Sequence, residues 1–151
     1  TAKRAALAAK GQYGSGSPPL ARAYADMGRL HYRMGQYDRA GLEFQHAAKG
    51  PMPPQNQERQ DRLSFLLGFG ACLGICDNLP EAEKVLRQAL AFARNLNGAQ
   101  SASALVALVP LADVLLKAGK TQEAAKLANE AYDGLWKLGD HLFCSTVGTW
   151  A

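Results

Sequence analysis

Nowhere does this 151-residue chain run apolar for the roughly 18 residues that a membrane-spanning helix requires. The nearest approach, Ala102–Leu116, is interrupted by Pro110 and Asp113 and reads as a buried helix. Cysteine is scarce: Cys72, Cys76 and Cys144 are an odd, scattered set that builds no disulfide framework. Cys72 and Cys76 share a helix face, but no histidine lies near them in sequence, so both read as small buried hydrophobes rather than metal ligands. Unpaired thiols fit a reducing, intracellular location, with the cytoplasm expected. His31, His46 and His141 show no ligand spacing. No nucleophile–base pair and no phosphate loop is present, and Gly68-Phe69-Gly70-x3-Gly74 has neither the spacing nor the preceding strand of a dinucleotide loop. Close helix packing explains those glycines better. Aromatic residues are few and do not interleave with basic ones as a nucleic-acid stacking platform requires. The expectation is therefore no catalytic residue, no metal, no cofactor and no enzyme.

Charge is modest but uneven. The net charge is +4. Residues 1–50 carry eight Lys/Arg against three Asp/Glu, whereas residues 51–100 balance at five and five and residues 101–151 carry four against five. A positive first third attracts acidic peptides, phosphates or nucleic acid. The alternative is a solvated face with no partner.

What the chain does have is a pattern that returns every 42 residues. It begins Tyr24-x2-Met27-Gly28-x2-His31, passes Gly35 and Tyr37, and closes Ala40-x3-Phe44-x2-Ala47. The next copy reads Leu66-x2-Phe69-Gly70-x2-Leu73, Leu79, Ala82-x3-Leu86-x2-Ala89. The third reads Leu108-x2-Leu111-Ala112-x2-Leu115, Gly119, Thr121, Ala124-x3-Ala128-x2-Ala131. A fixed period of this size indicates stacked helix pairs that bury their apolar faces on one another. Gly28, Gly70 and Ala112, with Ala40, Ala82 and Ala124, are the small positions that let neighbouring helices approach.

The pattern resembles the tetratricopeptide repeat family. Tyr24 stands where that family usually has Trp, Met27 where it has Leu, Gly28 at its small position and His31 where it prefers Tyr. The second copy has Asp77 in place of the turn glycine, and the third has Ala112 for the small glycine and Ala128 for the aromatic. The family period is about 34 residues. The longer one here is similar to the long-helix subgroup seen in kinesin light chains and some bacterial regulators. The resemblance covers roughly residues 21–138. It implies an all-α fold, a right-handed α-solenoid of antiparallel helix pairs.

Helix pairs are expected at Leu20–Met34 with Tyr37–Lys49, at Gln55–Cys76 with Leu79–Asn95, and at Ala99–Ala118 with Thr121–Leu138. Gly50-Pro51-Met52-Pro53-Pro54 stops the first pair. Asn78 and Thr121 are expected as helix caps, with Glu81 as a capping-box partner of Asn78. Pro110 should kink its helix. The expected division is 1–19 (end of a preceding repeat plus a Gly/Ser/Pro loop), 20–54, 55–98 and 99–140 as three repeats, and 141–151 as the start of a further repeat or a capping helix. Ala5, Ala6 and Trp150 fall at repeat positions, which suggests a piece of a longer array whose exposed ends could self-associate.

The resemblance also implies a working surface, the groove lined by the first helix of each pair. Carried over by position, it contains Arg22, Arg29, Tyr32 and Arg33, then Ser64, Leu67, Ala71 and Ile75, then Val106, Val109, Asp113 and Lys117. Such a groove is cationic at one end, apolar in the middle and mixed at the far end. It suits a protein segment with a carboxylate beside apolar side chains, which arginine can engage in bidentate fashion. The chaperone-binding carboxylate clamp of the family would fall on Ala25, Arg29, Gly68, Val106 and Pro110, and its asparagine ladder on Asp26, Gly68 and Pro110; neither is present. The leading expectation is an interaction scaffold with a protein or peptide partner and no membrane association. The alternatives are a nucleic-acid-associated assembly factor working through the basic first repeat, and a ligand-sensing regulatory domain.

Overall fold

A computed structural model describes residues 3–4 and 17–147. Six helices account for the long described segment: α1 (Pro18–Arg33), α2 (Tyr37–Ala48), α3 (Asn56–Ile75), α4 (Leu79–Asn97), α5 (Ala102–Lys117) and α6 (Thr121–Val147). No strand occurs among the described residues. Each helix packs on its neighbours in the chain. Across repeats, α1 meets α3 and α3 meets α5, while the backbones of α2, α4 and α6 do not approach one another. First helices therefore form an inner, closer layer and second helices an outer, spread one. This is an α-solenoid of antiparallel helix pairs.

Within each pair the turn has one construction. Gly35, Asp77 and Gly119 all take left-handed backbone angles, with φ of 76°, 61° and 83°. The next amide then reaches back into the last turn, from Gln36 to the His31 carbonyl at 2.9 Å, from Asn78 to Leu73 at 3.0 Å and from Lys120 to Leu115 at 2.9 Å. These bonds satisfy carbonyls that the helix end would otherwise leave bare. Asp77 holds the glycine position because a short polar side chain tolerates this region better than a bulky one.

The small positions do what the pattern requires of them. A Cβ on Gly28 or Gly68 would come within 3.2 Å or 3.1 Å of the Phe44 ring, which α2 inserts between α1 and α3. On Gly70 it would come 2.5 Å from Leu86, and on Gly74 2.9 Å from Val114. Ala40, Ala82 and Ala124 are buried, as are Ala47, Ala89 and Ala131. Ala128 differs. It shares the register of buried Phe44 and Leu86 but is exposed, because no described helix covers that side of α6.

Several details depart from expectation. Asn78 stands at the N-cap of α4 without a side-chain cap bond, so the Asn78–Glu81 box does not form. The helix after Gly119 begins at Thr121 itself, with the Lys120 carbonyl accepting its first bond from Ala124 at 3.0 Å; Thr121 lies inside the helix. Helix α5 starts at Ala102 rather than Ala99, and Ser101 caps it, its hydroxyl accepting from the Ala104 amide at 3.3 Å. Pro110 falls inside α5 as expected. Helix α6 does not stop at Leu138 but runs on to Val147, so residues 141–147 extend it instead of opening a new one. Cys72 is buried as expected, and that burial raises its thiol pKa to about 11; Cys76, at the end of the same helix, is exposed. Cys144 and the repeat positions Ala5, Ala6 and Trp150 lie outside the described residues or side chains.

Candidate functional site

The inner layer presents one groove that draws on all three first helices. Arg29, Tyr32 and Arg33 come from α1, Leu67, Gly68 and Ala71 from α3, and Val106 and Pro110 from α5, with the Phe44 ring of α2 at the bottom. Its volume is about 380 Å³. Gly28 and Gly68 create it: each lacks the side chain that would displace Phe44, so the two helices close on the ring and leave a shallow trough above it. Six of the expected residues thus meet in one place: Arg29, Tyr32, Arg33, Leu67, Ala71 and Val106.

The others lie around it. Ser64 shares a neighbouring hollow with Leu67, Ala102, Ser103 and Val106. Val109 is 52% and Val106 50% exposed, giving α5 an apolar stripe towards solvent. Ile75 is exposed at the end of α3. Asp113 and Lys117 pair with each other at 3.2 Å, which makes the far end locally neutral. Arg22 belongs elsewhere. It donates to Asp61 at 3.1 Å in a separate hollow of about 200 Å³ walled by Pro18, Phe65 and the Pro51–Pro54 loop. Arg62 fastens that loop, donating to the carbonyls of Gly50 at 3.2 Å, Lys49 at 3.3 Å and Pro51 at 3.1 Å. Burial lowers the Arg62 pKa from its ordinary value.

The cationic end of the groove is thinner than its composition suggests. Arg29 donates to Asp26 at 2.9 Å, one turn back on α1. Arg33 forms no ion pair among the described residues. Tyr32 meets Tyr37 edge to face with ring centroids 5.1 Å apart, a contact that orients the Tyr32 ring lining the groove. Sequence reasoning left Gly68, Pro110 and Phe44 out of the groove. By repeat position the first two fall at the carboxylate-clamp sites and Phe44 among the residues that pack helix on helix. A proline at 110 supplies no N–H to the Val106 carbonyl and puts a ring in the groove wall.

No group of three His, Cys, Asp or Glu side chains among the described residues could hold a metal ion. No described helix is long and apolar enough to cross a membrane. The groove sets exposed apolar side chains beside the Arg33 guanidinium, which has no ion-pair partner among the described residues. Residues 61–135, spanning most of α3 through α6, match the family model described as tetratricopeptide repeat. No curated protein matches the chain. With repeating helix pairs, glycine- and alanine-mediated packing and this family match, the chain belongs to the tetratricopeptide repeat family, whose non-enzymatic helical scaffolds generally mediate protein–protein interaction.

Proposed function

We propose that this chain is an interaction scaffold whose inner groove holds a segment of a partner protein, with a carboxylate at Arg33 and Arg29 and apolar side chains along Leu67, Ala71, Val106 and Val109. The observation that carries the reading is the meeting of cation and apolar wall in one trough built by three successive repeats. A guanidinium beside an apolar surface favours a carboxylate for two reasons. The planar fork donates to it in bidentate geometry, and the neighbouring low-dielectric wall strengthens the pair. Ile75, Asp113 and Lys117 extend the same face and would contact a longer segment. A cytoplasmic location belongs to the same reading.

The nucleic-acid alternative has less support. Two of the α1 arginines, Arg22 and Arg29, are engaged by Asp61 and Asp26, and a phosphate-binding face needs several unneutralised cations. A ligand-sensing domain needs a small-molecule pocket, and the groove that Pro110 lines is an open trough.

The test is the double reversal Arg29→Glu with Arg33→Glu, both residues being exposed. Partners captured by the wild-type chain should be lost while the helical circular dichroism and melting temperature stay near wild type. A folded double variant that keeps every partner at unchanged affinity would show that the groove is not the binding surface.

A further inference from the structure

The two outer seams of the solenoid are built differently. Between α4 and α6 the gap is crossed by charge. Arg87 donates across to Glu123 at 2.6 Å while pairing within α4 with Glu83 at 3.0 Å, Lys120 at the start of α6 donates to Glu83 at 3.0 Å, and Arg94 donates to Glu130 at 3.2 Å. Moving one repeat back, the positions of Glu83, Arg87, Lys120 and Glu123 are occupied by Gly41, Gln45, Asn78 and Glu81. Glu81 alone keeps its charge. It forms no ion pair among the described residues, and neither does Asp38 on the facing helix.

The floor differs as well. Beneath the crossed seam, Leu111 and Leu115 are 0% exposed. Their counterparts Phe69 and Leu73 beneath the open seam are only partly buried. Leu42 is 57% exposed at the position where the crossed seam has Lys84. The result is a groove of about 760 Å³ between α2 and α4, with an apolar floor and an acidic rim.

We propose that this outer seam is a second binding surface, for a protein segment that presents an arginine or lysine between aliphatic side chains. The partner's cation takes the place that Arg87 fills at the crossed seam, with Glu81 in the role of Glu123 and Asp38 opposite. Its aliphatic groups cover Leu42, Phe69 and Leu73. An acidic rim disfavours phosphates and carboxylates, so the segment chosen here has the opposite charge to the one the inner groove chooses. One scaffold then holds two chemically distinct partners on opposite layers.

A randomised peptide display library selected on the whole chain tests this. Two variants serve as controls on exposed or half-exposed positions: Leu42→Lys, and Gln45→Arg combined with Asn78→Lys, which imports the cations of the crossed seam. The expected result is a class of peptides carrying arginine or lysine beside leucine, isoleucine or valine. Their affinity should fall at least about tenfold in both variants and hold steady in the Arg29→Glu, Arg33→Glu chain. Failure to recover that class overturns the proposal, as does equal binding to both folded variants. Loss of binding in the inner-groove reversal instead would reassign those peptides to the inner groove. A dimer that Leu42→Lys turns into monomer would give the seam to a second copy of the chain, also overturning the proposal.

Discussion

Phe44 shows how single residues set the spacing of the whole array. Its ring fills the gap between α1 and α3 because Gly28 and Gly68 leave that gap vacant. The same logic at Gly70 and Leu86 leaves no space for even a methyl group, with a would-be Cβ 2.5 Å from the leucine. Ala82 is fully buried in the same contact layer. Ala82→Leu should therefore overpack it and cost about 1–3 kcal/mol, read by urea denaturation of the folded chain. Arg62 is a second residue-scale test. Its guanidinium reaches three carbonyls at once, which the point charge of lysine cannot reproduce. Arg62→Lys should destabilise by about 1 kcal/mol and loosen the Pro51–Pro54 loop, visible as faster amide exchange around Met52. Gly28, Gly70 and the anchor alanines were legible because they recur in register. Gly134, against Leu105, was not, because that contact depends on how α5 and α6 rotate against each other. The exposure of Cys76 was equally hidden. Helix periodicity gives a face, and whether that face is covered depends on the neighbouring seam.

At the scale of elements, the turns and the α4–α6 seam carry separate tests. Asp77 takes the left-handed position that glycine holds at 35 and 119. Asp77→Gly should relieve that backbone and stabilise the chain by up to about 1 kcal/mol, offset in part by the extra entropy glycine gains when unfolded. A lower melting temperature in this variant would mean that the aspartate contributes something beyond the turn. Across the seam, the hydrogen bond from Lys120 holds the Glu83 carboxyl pKa below its ordinary value, with Arg87 adding to it, while partial burial opposes both. A carboxylate depressed in the folded state contributes stability above its unfolded pKa of about 4.3 and loses it as pH falls through the folded value. The pairs are half-exposed, so the effect is small and screened by salt. Melting temperatures should fall as pH drops below the unfolded value and through the lower folded one, and Glu83→Gln should flatten part of that fall. Helix existence and order were readable from the 42-residue pattern, and the ends less so. The sequence pointed to Asn78 and Thr121 as caps because of their side chains. In the structure Asn78 makes no side-chain cap bond and Thr121 lies inside the helix, while the backbone turns at Asp77 and Gly119 satisfy carbonyls of the preceding helices. Helix α6 passes Leu138 because nothing in Gly139-Asp140 imposes a left-handed turn.

Taken whole, the molecule is two layers with different spacing. The inner helices meet and share a trough; the outer helices stand apart, bridged by charge at one seam and open at the other. That the groove would draw on three repeats followed from the register of the first helices. The withdrawal of Arg22 to Asp61 and of Arg29 to Asp26 did not, since those acids lie on faces that the repeat pattern leaves unconstrained. Binding in the inner trough is the central claim. The most direct measurement places a photo-cross-linking amino acid at Val106, in the trough, and separately at Gln45, on the outer seam, in the whole chain and in its Arg29→Glu, Arg33→Glu version. The account predicts a partner protein cross-linked from Val106, absent from Gln45, and lost on charge reversal. The same partner cross-linked at equal yield before and after the reversal, or captured from Gln45 alone, would contradict it.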